Sequence, residues 1–281
     1  MKAAYRLSDI IDDYSALFCD VWGVIRDGRA LLPDAITALQ KARDAGRSVV
    51  LVSNSPRPAG DLAHQLARMG APDNAWDAIV TSGDATQQAL RELAPGPFFK
   101  IGPPGRDDQL YDGLDLEFVE AEAARAIVCT GPTQEFGWEP EDYRSLFESL
   151  VARDLPMVCA NPDIVVQVGD DLVWCAGALA RLYREIGGTS IISGKPHKPI
   201  YELAYAALEA KGWQGGRSTV LAIGDGPETD IAGAQRMEID ALFIGDGILG
   251  RDIAGSDLDA VRDALAAFDV RADWFAPRLI W

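Results

Sequence analysis

The sequence predicts an α/β protein: a doubly wound, Rossmann-like parallel sheet as core, with a second α/β domain inserted into it. Three observations carry this. Short apolar runs alternate with amphipathic stretches of helical length. A Pro/Gly-rich stretch, Pro95–Gly105, marks a middle region with an alternation of its own, after which the first pattern resumes. The 281 residues are more than one small core comfortably needs.

The elements follow in order. Ala16–Cys19 is an apolar strand leading into Asp20, and Pro33–Ala45 a helix opened by proline and closed by Gly46. Ser48–Ser53 is the next strand, Ala59–Met69 a helix ending at Gly70, and Ala78–Thr81 a strand. This β-α-β-α-β order implies parallel strands with helices on both faces. The first part of the core thus covers residues 1–82, the inserted domain 83–188 and the second part of the core 189–281. Within the insertion the pattern predicts strands at Ala126–Cys129, Pro156–Cys159 and Leu172–Cys175, and helices over Pro140–Arg153 and Gly177–Ile186. The core then resumes with strand Ile191–Ser193, helix Pro199–Ala210, strand Ser218–Ile223, helix Thr229–Met237, strand Ala241–Ile244 and helix Leu258–Phe268. The aromatic tail, Trp274–Trp281, is expected to pack on the core. Gly102–Gly105 reads as a turn, the acidic run Asp107–Glu122 as a solvated face, and Asp246-Gly247 as a turn at the end of a strand.

Composition excludes several classes. A net charge of −17 opposes nucleic acid and anionic membranes as partners. It also means that a phosphate site would need local positive charge or a metal. Met1–Asp12 holds no apolar segment of signal-peptide length, and no run reaches the roughly 18 apolar residues of a membrane span. Cys19, Cys129, Cys159 and Cys175 are scattered and form no C-x-x-C pair, which suits buried, reduced thiols in a cytoplasmic protein. His64 and His197 have no partner at zinc-ligand spacing.

Ligands of parallel α/β sheets bind at the carboxyl ends of the strands. Polar residues stand at four such ends: Asp20 in D-V-W-G-V, Ser53-Asn54, Lys195 in G-K-P, and Asp225 with Asp230 in G-D-G-P-E-T-D. Any one of them could be an ordinary helix cap. Together they assemble a chemistry. A carboxylate can attack phosphorus and divide one difficult step into two. Asp225 and Asp230 suit Mg²⁺, which prefers hard oxygen donors. Lys195 places a point charge on the phosphate and keeps Asp20 ionised, while Ser53, Asn54 and nearby backbone N–H groups bind the remaining oxygens.

In motif content and order, over nearly the whole chain, this resembles the haloacid dehalogenase superfamily of aspartate-nucleophile phosphatases. The insertion, with Asn161-Pro162-Asp163 and Gly177-Ala178-Leu179, looks like the α/β cap of the nitrophenylphosphatase-like branch. The resemblance implies hydrolysis of a small phosphorylated metabolite through an aspartyl-phosphate on Asp20. It implies Mg²⁺ held by Asp20, the Trp22 main-chain carbonyl and Asp225, with Asp230 beside them. It further implies a cap that contributes Asn161 and Asp163 to the substrate site, and it allows a homodimer through the cap. One position departs from the pattern. The family's first motif is D-x-D, and its second Asp, the general acid and base, is Trp22 here. Indole can do neither job. Asp27, Asp163 or His197 could stand in for it. Otherwise the chain is a weakly catalytic binding or sensing protein for a phosphorylated metabolite, with Trp22 as a stacking surface or a plug. A metal-independent, dehalogenase-like hydrolase also lacks that Asp, but the intact Asp225 and Asp230 argue against it.

Overall fold

The structure is a computed structural model that describes residues 1–168, 171–247 and 257–281. In chain order the elements are β1 (Lys2–Ala3), β2 (Ala16–Cys19), α1 (Pro33–Asp44), β3 (Ser48–Ser53), α2 (Ala59–Arg68), β4 (Ala78–Thr81), α3 (Ser82–Leu93) and β5 (Phe98–Ile101). Then come β6 (Ala126–Cys129), α4 (Arg144–Val151), β7 (Met157–Cys159), β8 (Val165–Val168), β9 (Asp171–Trp174), α5 (Ala176–Glu185), β10 (Ser190–Ile192) and α6 (Lys198–Ala210). β11 (Val220–Gly224), α7 (Ala232–Met237), β12 (Asp240–Ile244), a helix at Leu258–Ala266 and β13 (Trp274–Ala276) complete the described chain.

The core is a parallel sheet in the order β1-β13-β12-β11-β2-β3-β4. Its strands are apolar on both sides because both faces are covered. Leu17, Cys19, Val49, Leu51, Leu221 and Ile223 point to one face and pack with Ile36 and Leu39 of α1 and Leu62 and Leu66 of α2. Their neighbours Ala16, Phe18, Val50, Val52, Val220 and Ala222 point to the other, against Ile200, Tyr201 and Leu208 of α6 and Val261 and Leu265 of the last helix. The tail does more than pack on this core: β13 pairs with β12 and β1 as part of the sheet.

The inserted region builds a second parallel sheet, β10-β7-β6-β5, and an antiparallel hairpin of β8 and β9. One face of that sheet packs on Phe147 and Leu150 of α4 and Leu179 and Leu182 of α5. The other face buries Leu90 of α3 beside Phe98, Val128 and Val158.

Several features, the unforeseen strand β8 among them, differ from the sequence reading. The strand expected at Ile191–Ser193 as the return of the core pattern lies at Ser190–Ile192 and pairs with Met157–Cys159, so it belongs to the second sheet. Three residues of strand carry no label for the sheet they join. Helix α3 is hidden in the sequence by Gly83, which looks like a break. A Cβ there would lie 2.3 Å from the carbonyl oxygen of Pro56, so glycine serves a close backbone approach. Thr81 caps this helix, its Oγ1 accepting from the Asp84 N–H at 3.1 Å. Strand β5 is masked by the prolines and glycines around it. Among the described residues no helix is long and apolar enough to cross a membrane.

Candidate active site

Asp20 immediately follows β2, Asp225 follows β11, and Asp230 lies in a wide π-type turn, Pro227–Ile231, that leads into α7. Adjacent parallel strands β2 and β11 bring the first two together, and the turn brings the third. One oxygen from each of the three buried carboxylates lies within 4.8 Å of the others.

Lys195 reaches this cluster from the loop after β10. Its Nζ donates to Asp20 Oδ1 at 2.6 Å and to Asp230 Oδ1 at 2.7 Å, all three residues being buried. Burial opposes the ammonium, but the Asp20 and Asp230 charges outweigh it and hold the Lys195 pKa well above its usual range. Burial pushes the Asp20 carboxyl up, while Lys195 pulls it back and Asp230 and Asp225 add to the rise. Three carboxylates against one ammonium leave an excess of buried negative charge made of hard oxygen donors. That donor set fits a divalent cation such as Mg²⁺.

Glycines seat these groups. A Cβ on Gly23 or on Gly247 would lie 2.1 Å from Asp225 Oδ2, and one on Gly224 would lie 2.2 Å from Asp230. Gly23 also has φ +77°, a left-handed conformation that suits glycine. The Asp246-Gly247 turn is therefore part of the wall behind Asp225. Gly226 N–H donates to Asp230 Oδ2 at 3.1 Å and fixes the remaining oxygen.

Asn54 connects the site. Its Oδ1 accepts from the Lys195 N–H at 2.8 Å, and its Nδ2 donates to the Lys195 carbonyl at 3.2 Å and to Asp163 Oδ1 at 2.8 Å. Asn161 Oδ1 in turn accepts from the Asp163 N–H at 3.1 Å. Ser53, also buried, accepts from the Ser55 N–H at 3.2 Å through its Oγ. Asp20, Ser53, Asn54, Asn161, Asp163, Lys195, Asp225 and Asp230 thus share one cavity of about 880 Å³, roofed by Val165 and Val166 of β8 and Val173 and Trp174 of β9.

Trp22 lines the same cavity, half-buried against the core, with the Arg26 guanidinium 4.3 Å from its ring centroid. The three stand-ins for the missing Asp differ in their surroundings. Asp27 Oδ1 accepts from the N–H groups of Ala30 and Arg29, which hold its carboxyl below the usual range. Burial and the Arg236 and Arg184 charges push the His197 imidazole down, so it is neutral near pH 7. Burial raises the Asp163 carboxyl, whose Oδ1 accepts from Asn54 and whose second oxygen is the one that could carry a proton.

Sequence reasoning missed several cavity residues. Asp107, expected on a solvated face, is buried between Arg57, 3.5 Å away, and Arg106, 3.1 Å away. Arg181, Arg184, Glu228 and Arg236 also line the cavity, with Arg181 3.2 Å from Glu228. The one signal available was Arg106-Asp107 directly after a Pro/Gly turn. The other residues are surface-type charges with no pattern of their own.

A model for haloacid dehalogenase-like hydrolases matches residues 17–114, and one for HAD-hydrolase-like chains matches residues 192–274. A solved hydrolase of the haloacid dehalogenase-like family from Brucella suis 1330 is 43% identical, with a TM-score of 0.87 over 99% of this chain and 100% of that one. The chain belongs to the haloacid dehalogenase-like hydrolases. Within that family it is similar to the ribonucleotide monophosphatase NagD of Escherichia coli K12, 26% identical over 250 residues, 87% of this chain and 91% of NagD. Its fold is shared with a p-nitrophenyl phosphatase from Archaeoglobus fulgidus, at 20% identity and TM-score 0.72 over 95% of this chain and 97% of that one. The family is thus of the NagD and nitrophenylphosphatase branch, and the core-plus-cap architecture is that of these relatives.

Proposed function

We propose that this chain is a phosphoric monoester hydrolase that cleaves a small phosphorylated metabolite through a phosphoaspartyl intermediate on Asp20. The observation that carries the reading is the buried Asp20 carboxylate, tied to Lys195 and set among Asp225 and Asp230 at one end of the cavity. The names of the relatives, a ribonucleotide monophosphatase and a nitrophenyl phosphatase, support the reaction class.

In this mechanism an Asp20 oxygen attacks phosphorus, and the bond from phosphorus to the leaving oxygen breaks with its electron pair departing on that oxygen. Water then attacks the phosphoaspartate, the bond from phosphorus to the Asp20 oxygen breaks, and inorganic phosphate leaves. Lys195 offers positive charge beside the phosphate, and Asn54 holds the Lys195 backbone in place. Ser53 and the N–H groups near Asn54 take phosphate oxygens. Asp20, Asp225, Asp230 and the main-chain carbonyl of Trp22 would hold Mg²⁺, which when bound neutralises charge on the phosphate. On a core of 1–82 and 189–281 with a cap of 83–188, the cap's end moved to Ile192 so that it keeps β10, the reacting groups lie in the core and the covering groups, Asn161 and Asp163 among them, in the cap.

With Trp22 at the general acid position, the leaving oxygen receives no proton from the first motif. The enzyme therefore favours leaving groups that depart as stable anions, such as aryl or acyl oxygens, over alkoxides. The test is phosphate release from an aryl phosphate with and without Mg²⁺, wild type beside Asp20→Asn. Turnover that requires both the cation and Asp20 is the expected result. Turnover retained in Asp20→Asn sinks the mechanism. A second reading, a phospho-metabolite sensor, is favoured by Trp22, which lines the cavity and is backed by the Arg26 guanidinium. Folded wild-type protein that binds phosphorylated compounds without turnover would select it.

A further inference from the structure

Beyond the Asp20 cluster the cavity is lined by a set of arginines. Arg29, Arg57, Arg106, Arg181, Arg184 and Arg236 all line it, among the carboxylates of Asp27, Asp107, Asp163, Glu228 and Asp246. Among them Arg57 and Arg106 flank Asp107, and Arg181 meets Glu228. Arg184 and Arg236 have no acid partner among the described residues.

These two come from different parts of the fold. Arg184 stands in the last turn of α5 on the cap, and Arg236 in the last turn of α7 on the core. His197, at the start of α6, lies on the segment that joins the two sheets. All three side chains line the one cavity, and the two guanidinium charges add to burial in lowering the His197 imidazole. A cation in the last turn of a helix is ordinarily explained by the helix's own carbonyls. That accounts for either arginine alone. It does not account for two, one from the cap and one from the core, lining the same cavity as His197 with no acid partner among the described residues, in a chain with 43 acidic residues against 26 basic ones.

We propose that Arg184, Arg236 and His197 form a second anion-binding subsite, so that the substrate is a phosphorylated metabolite carrying a further anionic group, a carboxylate or a second phosphate. The inference rests on the reading that the scissile phosphate sits at Asp20. Guanidinium groups bind either anion through paired N–H bonds, and a neutral His197 adds one more donor. A cavity of about 880 Å³ leaves room for a carbon skeleton between the two anions. One arginine from the cap and one from the core also mean that a bound anion would tie cap to core.

Matched pairs of compounds that carry the phosphate on a primary alcohol and differ in a second anionic group test this. Sorbitol 6-phosphate is compared with 6-phosphogluconate, and glycerol 3-phosphate with 3-phosphoglycerate, for a carboxylate. Fructose 6-phosphate is compared with fructose 1,6-bisphosphate for a second phosphate. Binding is measured by calorimetry on the Asp20→Asn protein with Mg²⁺, so the result does not depend on turnover. The more anionic member of at least one pair is expected to bind about ten- to a hundredfold more tightly. That advantage should collapse toward unity when Arg184→Gln or Arg236→Gln is added, in proteins shown by circular dichroism to be folded. Equal affinity within every pair, no binding of any compound, or a preference that survives both substitutions overturns the proposal. Failure of the underlying reading looks different: wild-type protein would release phosphate from none of these compounds, nor from an aryl phosphate.

Discussion

The floor and the roof of the cavity are built to different tolerances. The floor, at the ends of β2 and β11, is buried and filled. Three carboxylates and one ammonium share it, and the glycines behind them leave no space for a methyl group. The roof, contributed by β8 and β9, exposes apolar side chains to solvent, with Leu172 at 64% and Val173 at 38% exposure. A filled, charged floor fixes geometry, which is what attack at phosphorus needs. An open roof fixes little and leaves the choice of substrate adjustable.

Four substitutions break or sharpen that contrast, from the largest effect down. Gly23→Ala places a Cβ 2.1 Å from Asp225 Oδ2 at a positive φ. It is expected to lower kcat/KM by roughly a hundredfold or more, as expected for a misplacement of about 1 Å, and steady-state phosphate release reads this directly. Asn54→Ala leaves the buried Lys195 N–H and the half-buried Asp163 without their partner. It should cost about 2–4 kcal/mol, seen as a fall of roughly 5–10 °C in the thermal midpoint. An unchanged midpoint would mean that the Asn54 bonds do not hold floor and roof together. Trp22→Asp restores an acid at the first motif and should raise turnover of alkyl phosphates by about tenfold or more, with little change for aryl phosphates. The ratio of the two rates is the measurement. Leu172→Ser on the roof should change stability by no more than about 0.5 kcal/mol, checked by denaturant unfolding. A larger loss would show the roof to be as constrained as the floor.

The floor was legible in the sequence, and the roof largely was not. Asp20, Ser53 and Asp225 follow apolar runs of strand length, so their places at strand ends came with the fold itself. The three carboxylates and Lys195 were singled out by residue type and order, and the structure brings them into one cluster. What stayed hidden depended on contacts between distant segments. Asp107 looks like any member of an acidic run until Arg57, fifty residues away in the chain, closes on it. Gly83 looks like a helix breaker until the Pro56 carbonyl is seen against it. Strand β8 went unread because its short apolar run has meaning only beside β9. Arg184 and Arg236 carry no sequence signal, because an exposed arginine on a helix is the commonest kind of surface residue.

The assignment of β10 to the second sheet has a practical consequence for anyone exchanging parts between relatives. The last strand of the cap ends at Ile192, and Lys195, whose ammonium completes the floor, is three residues later. Only Ser193 and Gly194 lie between. Gly194 cannot be traded for a larger residue, since a Cβ there would meet Asn54 and Ser82 on one side and Pro162 on the other, each at 2.7 Å. A chimera that grafts a foreign cap therefore has a splice window one residue wide, at Ser193, if the donor cap is to bring its own edge strand and the recipient is to keep its lysine.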